Sequence, residues 1–201
     1  MSDSKESNWS AAADAIDRMA AGLSEPARVR RAADVAAETI RGHVYEGNGF
    51  APLSAATQGY RGAGRPLQDT GSLRDSITAE TTGTDTASVG TTKPYAAIQN
   101  NGGTIRAKKG WLFIPAKGTR QLQRRYGYSP GELLTKLKSD GYYVYRVGRT
   151  VCYRKRGGRS STPGKVVYYL KKSVVIPARR FFYLTDEEAN AIMKEAMNDI
   201  I

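Results

Sequence analysis

The sequence predicts an α+β fold in which helices pack on paired antiparallel strands, and three observations carry that prediction. Apolar residues recur every three or four positions in 9–23 and again in 29–40, the period of helices that bury one face. Short runs such as 77–81 and 86–90 alternate apolar with polar residues, the period of half-buried strands. Near the C-terminus Thr185-Asp186-Glu187-Glu188 has the spacing of a capping box, and an apolar stripe follows it.

In chain order, Trp9, Ala13, Ile16, Ala20 and Leu23 define a first amphipathic helix of about four turns. Gly22 and Ser24-Glu25-Pro26 break it. Ser24 is the expected N-cap of a second helix, with Pro26 in its first turn. Val29, Ala32, Ala33, Ala36 and Ile40 line one face of that helix, which is expected to end near Gly42. Residues 47–66 are rich in glycine and proline and predict a long loop.

Thr70 is placed to cap a short turn over 72–75, after which the two alternating strands pair around Gly83-Thr84-Asp85. Residues 95–99 predict one helical turn, stopped at Asn100-Asn101-Gly102-Gly103, where positive φ costs little. Residues 104–107 and 111–114 follow as two further strands. Ser129-Pro130-Gly131-Glu132 forms another capping box, followed by Leu133, Leu134 and Leu137 at helical spacing and a stop at Asp140-Gly141. Residues 142–147 and 150–154 predict a hairpin around Gly148-Arg149. A basic loop over 155–164 leads into one long strand over 166–176. The terminal helix carries Ala189, Ile192, Met193, Ala196, Met197 and Ile200 on one stripe.

A chain of 201 residues can bury one real core with an excursion attached. The net charge of +12 is uneven: 117–172 holds 15 Lys and Arg against Glu132 and Asp140, while the remainder is nearly balanced. This divides the chain into an N-terminal helical hairpin (1–46), a core α+β domain (47–116 and 173–201) and a basic helix-and-hairpin insertion (117–172). No stretch approaches the ~20 apolar residues of a membrane span, and the polar N-terminus has no signal-peptide character. One cysteine, Cys152, cannot form an internal disulfide, as expected in a reducing cytoplasm. One cysteine and one histidine fall short of the three or four N/S ligands that a protein-built zinc site wants.

The candidates for chemistry have structural explanations. Asp69 and Asp75 flank a turn and cap a helical start rather than forming an acid/base pair. Ser72 and Ser76 have no histidine near them to activate a nucleophile. His43 stands at a helix C-terminus, where a cation is favoured by the helix dipole. Cys152 lies between strand residues as an inert thiol. Arg61-Gly62-Ala63-Gly64-Arg65 lacks the flanking strand, helix and Lys-Ser/Thr of a phosphate loop. The basic segment interleaves tyrosines with cations, and three readings stay open: docking on an acidic neighbour, contact with nucleic acid, or a solvated face. Arg149, Arg154, Lys155, Arg156 and Arg159 are the residues through which it would act.

Two ordered blocks remain. The first contains Thr70, Gly71, Leu73, Ser76 and Ile77, then Val89, Gly90 and Thr91, then Tyr95 and Ala96 before Gly102 and Gly103. The second contains Pro177, Ala178, Arg179, Phe181 and Phe182 ahead of the last helix. In this order and spacing they resemble the phage virion morphogenesis family, the small tail-completion proteins of long-tailed phages. The resemblance covers roughly 50–105 and 173–201 and leaves out the basic segment. It implies a twisted, mainly antiparallel sheet backed by N-terminal and C-terminal helices, assembled into a ring. It further implies a structural virion protein, without catalysis or cofactor, that completes the tail at the head–tail junction so that the tail joins the DNA-filled head. The partners implied are other copies of the chain, tail terminator or tail tube proteins and head connector proteins, with packaged DNA as a possible contact and no membrane. Its place is the virion, after assembly in the host cytoplasm. Related proteins often carry a histidine where this chain has Gln99 or its neighbour, which argues against metal or acid/base work at that corner. The rival expectation is a nucleic-acid-binding protein that acts through 117–172. Phe181 or Phe182 is expected to fill an apolar pocket.

Overall fold

The computed structural model describes residues 26–83, 85–157 and 164–197. The expected first helix, the Ser24 cap, Thr84, Arg159 and Ile200 lie outside the described residues. Two compact units make up the chain. One comprises the residues up to Pro52, Arg65–Gly103, and the chain from Ile176 onward; the other comprises Leu53–Gly64 and Thr104–Val175.

In the first unit, helix α1 (Pro26–Glu46) buries Val29, Ala32, Ala33, Ala36, Ala37, Ile40 and Val44. It runs four residues past the expected stop at Gly42. A glycine inside a helix costs about 1 kcal/mol, whereas burying a valine side chain gains about 1.5–3 kcal/mol, so the buried Val44 outweighs it. The antiparallel hairpin β1 (Ile77–Thr81) and β2 (Ala87–Thr91) pairs Ile77 with Thr91 and Thr81 with Ala87. Its inward face presents Ile77, Ala79, Ala87 and Val89 to α1. The second strand begins one residue later than expected because Thr82 N–H closes the turn on Thr86 O.

Helix α6 (Asp186–Met197) packs Ile192 and Ala196 on the alanine-rich face of α1. Its capping box is formed. The Thr185 N–H donates to Glu188 Oε2 at 2.7 Å, and the Glu188 N–H donates to Thr185 Oγ1 at 3.2 Å. Met197 at the far end of the stripe is exposed. Helix α3 (Ala96–Asn101) ends at Gly102, whose N–H bonds to Ile98 O.

The second unit is built on a four-stranded antiparallel sheet. Its strands are β4 (Leu112–Pro115), β5 (Tyr142–Val147), β6 (Thr150–Lys155) and β7 (Lys165–Lys171), in the order β4-β7-β6-β5. Helices α4 (Thr119–Tyr126) and α5 (Pro130–Ser139) cover one face, placing Tyr126, Leu133 and Leu137 against Val151, Tyr168 and Leu170. The pairing of β6 with β7 shifts at Val151/Cys152, where Val167 is the extra residue, so both Val167 and its neighbour Tyr168 are buried. The predicted cap of α5 is present, with Ser129 Oγ accepting from the Glu132 N–H.

Three expectations need correction. The loop over 47–66 contains helix α2 (Ala55–Arg61), capped by Ser54 Oγ, which accepts from the Thr57 N–H. The strand expected over 166–176 is divided: β7 joins the four-stranded sheet, while β8 (Ser173–Ile176) pairs with β3 (Gly103–Arg106) in a separate ladder. Helix α4 carried no sequence signal. It starts from Gly118 at φ +81° without a side-chain cap, and its sequence is mostly polar. The fold class is α+β, with its strands distributed over three sheets among the described residues.

Candidate assembly site

The second motif block sits at a corner of the first unit, held by polar groups that are themselves buried. Asn100, fully buried, accepts the N–H of Phe181 at 3.0 Å and of Phe182 at 2.9 Å on one Oδ1. Its amide donates to Asn101 Oδ1 at 2.7 Å. Both phenylalanines are thereby directed into the core beside Ile40, Val44, Leu73, Ile77 and Ala96, with their rings edge to face.

Arg179 is buried as well. Its Nε donates to Ala51 O at 2.9 Å, Nη2 to Pro52 O at 3.2 Å and Nη1 to Gln99 Oε1 at 3.2 Å, while its backbone N–H reaches Gln99 O at 2.9 Å. A planar fork of donors suits this task, joining three chain segments through fixed oxygens. Gly102 beside it has φ +71°, and a Cβ there would lie 2.7 Å from Ala178 N. Only glycine fits this position.

The first block supplies the other wall. Thr70 Oγ1 accepts the Ser72 N–H at 3.4 Å, and the Asp75 N–H bonds to Gly71 O at 2.9 Å, shaping the 3₁₀ turn Arg74–Ser76. Gly71 has φ +73°. Ser76 Oγ donates to Leu73 O at 2.7 Å and lies 2.6 Å from Thr91 Oγ1, tying the turn to the end of β2. Leu73 and Ala96 are buried and Val89 packs on the core, while Tyr95, Pro177 and Ala178 are exposed. Nothing within 4 Å would oppose a Cβ at Gly90. Among these motif residues the structure brings together Leu73, Ile77, Ala96, Phe181 and Phe182 in one cluster, with Arg179 fastening its edge.

His43, in the last turn of α1, joins the corner to α6. Its Nδ1 lies 3.1 Å from Phe181 O and its Nε2 lies 2.6 Å from Glu188 Oε1, with Tyr183 stacked on the ring at 4.2 Å. Burial raises the Glu188 pKa, but the Thr185 backbone N–H, the His43 ring and the Thr185 hydroxyl outweigh that and hold it below the usual carboxylate range. Asn100, Gln99 and Arg41 are site residues that the sequence reading missed. Arg41 Nε and Nη2 donate to Ile77 O at 2.9 and 2.6 Å. The available signal for Asn100 and Gln99 was their adjacency to the Tyr95–Ala96 block.

The basic candidates are not one cluster. The Arg154 guanidinium lies over Tyr143 and Tyr145 at 5.5 and 5.8 Å from the ring centres, and those two rings stack at 5.4 Å. Arg149 instead shares Trp111 with Arg146 and Lys172, at 6.0, 5.3 and 4.2 Å. Lys155 ends β6, and Arg156 follows with its N–H on Gly141 O. Asp75 accepts from its neighbour Arg74, and Cys152 is buried without a disulfide. Among the described residues no group of three or more His, Cys, Asp or Glu converges as metal ligands, and no helix is long and apolar enough to cross a membrane.

Comparison with known proteins gives one result. The model of the phage virion morphogenesis family matches residues 9–200, including the segment that the motif blocks do not reach. No curated protein and no solved structure matches significantly.

Proposed function

The chain belongs to the phage virion morphogenesis family, and from that premise we propose that it completes the phage tail at the head–tail junction, as a homo-oligomeric ring without turnover of its own. A role in building the virion follows from the family; the place and the ring are our reading. The family match over nearly the whole chain is the observation that carries it. The site's geometry supports it. The motif residues Leu73, Ala96, Arg179, Phe181 and Phe182 are buried and fasten one corner of the first unit, the arrangement expected of a scaffold. Exposed Tyr95, Pro177 and Ala178 lie on that same corner, available to a neighbouring subunit, tail tube or terminator, or head connector.

The test is genetic. An amber mutation early in the gene should yield filled heads and full-length tails that stay separate, and purified protein should restore joining in the extract. Particles that assemble and infect normally would exclude the junction role, as would a block in DNA replication or lysis.

A further inference from the structure

The second unit combines a charge excess with a sheet face turned away from helices α4 and α5. Its 84 residues carry 19 Lys and Arg against two acids, a net of +17, whereas the first unit carries 12 against 17, a net of −5. Both acids belong to the helical side. Glu132 is in the first turn of α5, and Asp140 caps the end of α5 and accepts the Tyr126 hydroxyl at 2.6 Å. The strands have none.

Strand register determines which side chains share the opposite face. Tyr143 pairs with Arg154, Thr150 with Tyr169, Ile114 with Tyr169 and Leu112 with Lys171. The helix-facing side presents Tyr142, Val144, Val151, Tyr153, Tyr168 and Leu170. Alternation therefore places Tyr143, Tyr145, Arg154, Tyr169 and Lys171 together on the far side. Tyr143 and Tyr169 are 48% and 43% exposed there. The stacked tyrosines hold the Arg154 guanidinium over their rings, which reduces the freedom that binding would otherwise remove.

We propose that this face binds duplex nucleic acid through its phosphate backbone, without reading sequence. The chemistry favours a polyanion over an acidic protein patch. Arg154 and Lys171 are the strand cations that register places on this face, whereas Arg146, Lys155 and Lys165 pair with Val151, Tyr142 and Tyr153 of the helix-facing side. The rest of the unit's excess adds long-range attraction to phosphates spaced about 1.7 Å along the duplex axis. Protein–protein interfaces are depleted in lysine, and this unit is rich in it. Arginine, lysine and tyrosine side chains are ordinary phosphate donors, and phosphate contacts carry no sequence information. This inference stands on the charge and register of the sheet, not on the proposed place at the junction.

The experiment compares two doubly neutralised variants of the full chain that lose the same charge from opposite sides: Arg154→Gln/Lys171→Gln on the open face, and Lys136→Gln/Lys138→Gln on exposed positions of α5. Binding to a fluorescent duplex of about 20 base pairs is measured by anisotropy across a salt series, where each lost phosphate contact lowers the log–log slope by about 0.9. The open-face variant should weaken binding roughly tenfold or more near physiological salt and lower the slope by about two, while the helix-side variant changes affinity less than about threefold. Circular dichroism melts establish that each variant folds. If the first does not, Lys171→Gln alone replaces it and is compared with Lys138→Gln alone, the expected slope change then being about one. Equal losses in the two variants would reduce the effect to bulk charge and overturn the proposal. So would unchanged binding, or lost binding to purified tails with duplex binding intact.

Discussion

Asn100 shows how much of the corner depends on one side chain. Its single Oδ1 satisfies two backbone donors in a place where water does not reach. Leaving a buried donor unpaired costs about 1–3 kcal/mol. Asn100→Ala should therefore lower unfolding free energy by about 2–5 kcal/mol, read as a reduced urea midpoint at unchanged m-value. A loss below half a kcal/mol would mean that water or a shifted backbone replaces the bond. The sequence marked Asn100 only as a helix stop, because its partners lie 81 and 82 residues away. Phe181 and Phe182 were legible by contrast, since two adjacent aromatics ahead of a helix have few outlets except a core. Arg179 was legible as a motif member but not as a buried fork, since its acceptors are backbone oxygens, and every residue type carries those.

At the scale of elements, most of what is written locally was legible and what is set by distant pairing was not. The capping box at Thr185 formed in both directions, Ser129 caps its helix through the Glu132 N–H, and the hairpin β5–β6 has nearly the expected bounds. The break between β7 and β8 at Lys172 has no local mark; it is imposed by different partners on either side. Helix α2 did have a mark, the cap Ser54, hidden among glycines. The cap of α6 gives a testable pH dependence. Glu188 is held below its ordinary pKa in the folded state, so its contribution is present above the unfolded carboxylate pKa and is lost as pH falls through the lower, folded value. Thr185→Ala should cost about 1 kcal/mol near neutrality. Glu188→Gln, which retains capping geometry, should flatten the fall of stability with acid in that window. Urea titrations at a series of pH values compare the slopes; parallel curves for wild type and Glu188→Gln would remove the linkage.

Across the whole chain, charge opposes the ring assembly proposed above. Each copy brings a net +12, so a ring of identical copies repels itself in proportion to its growing charge. The opposite signs of the two units could offset this through head-to-tail contacts, but −5 neutralises less than a third of +17. Repulsion therefore wins at low ionic strength, where the Debye length is about 30 Å at 0.01 M, and weakens where it falls to about 8 Å at 0.15 M. The purified protein should be largely monomeric in dilute buffer. Rings should become more abundant as salt rises or when duplex DNA is added at low salt, the second because a polyanion removes the same repulsion without screening it. Mass photometry distinguishes the signs directly. Oligomers that dissolve as salt rises would show that attraction between unlike units holds them, and a monomer under all conditions, with and without tails, would exclude the ring. The charge imbalance behind this prediction was legible in the sequence as a basic run. Its size was not, because Arg61, Arg106, Lys108 and Lys109 join the basic unit only through the fold.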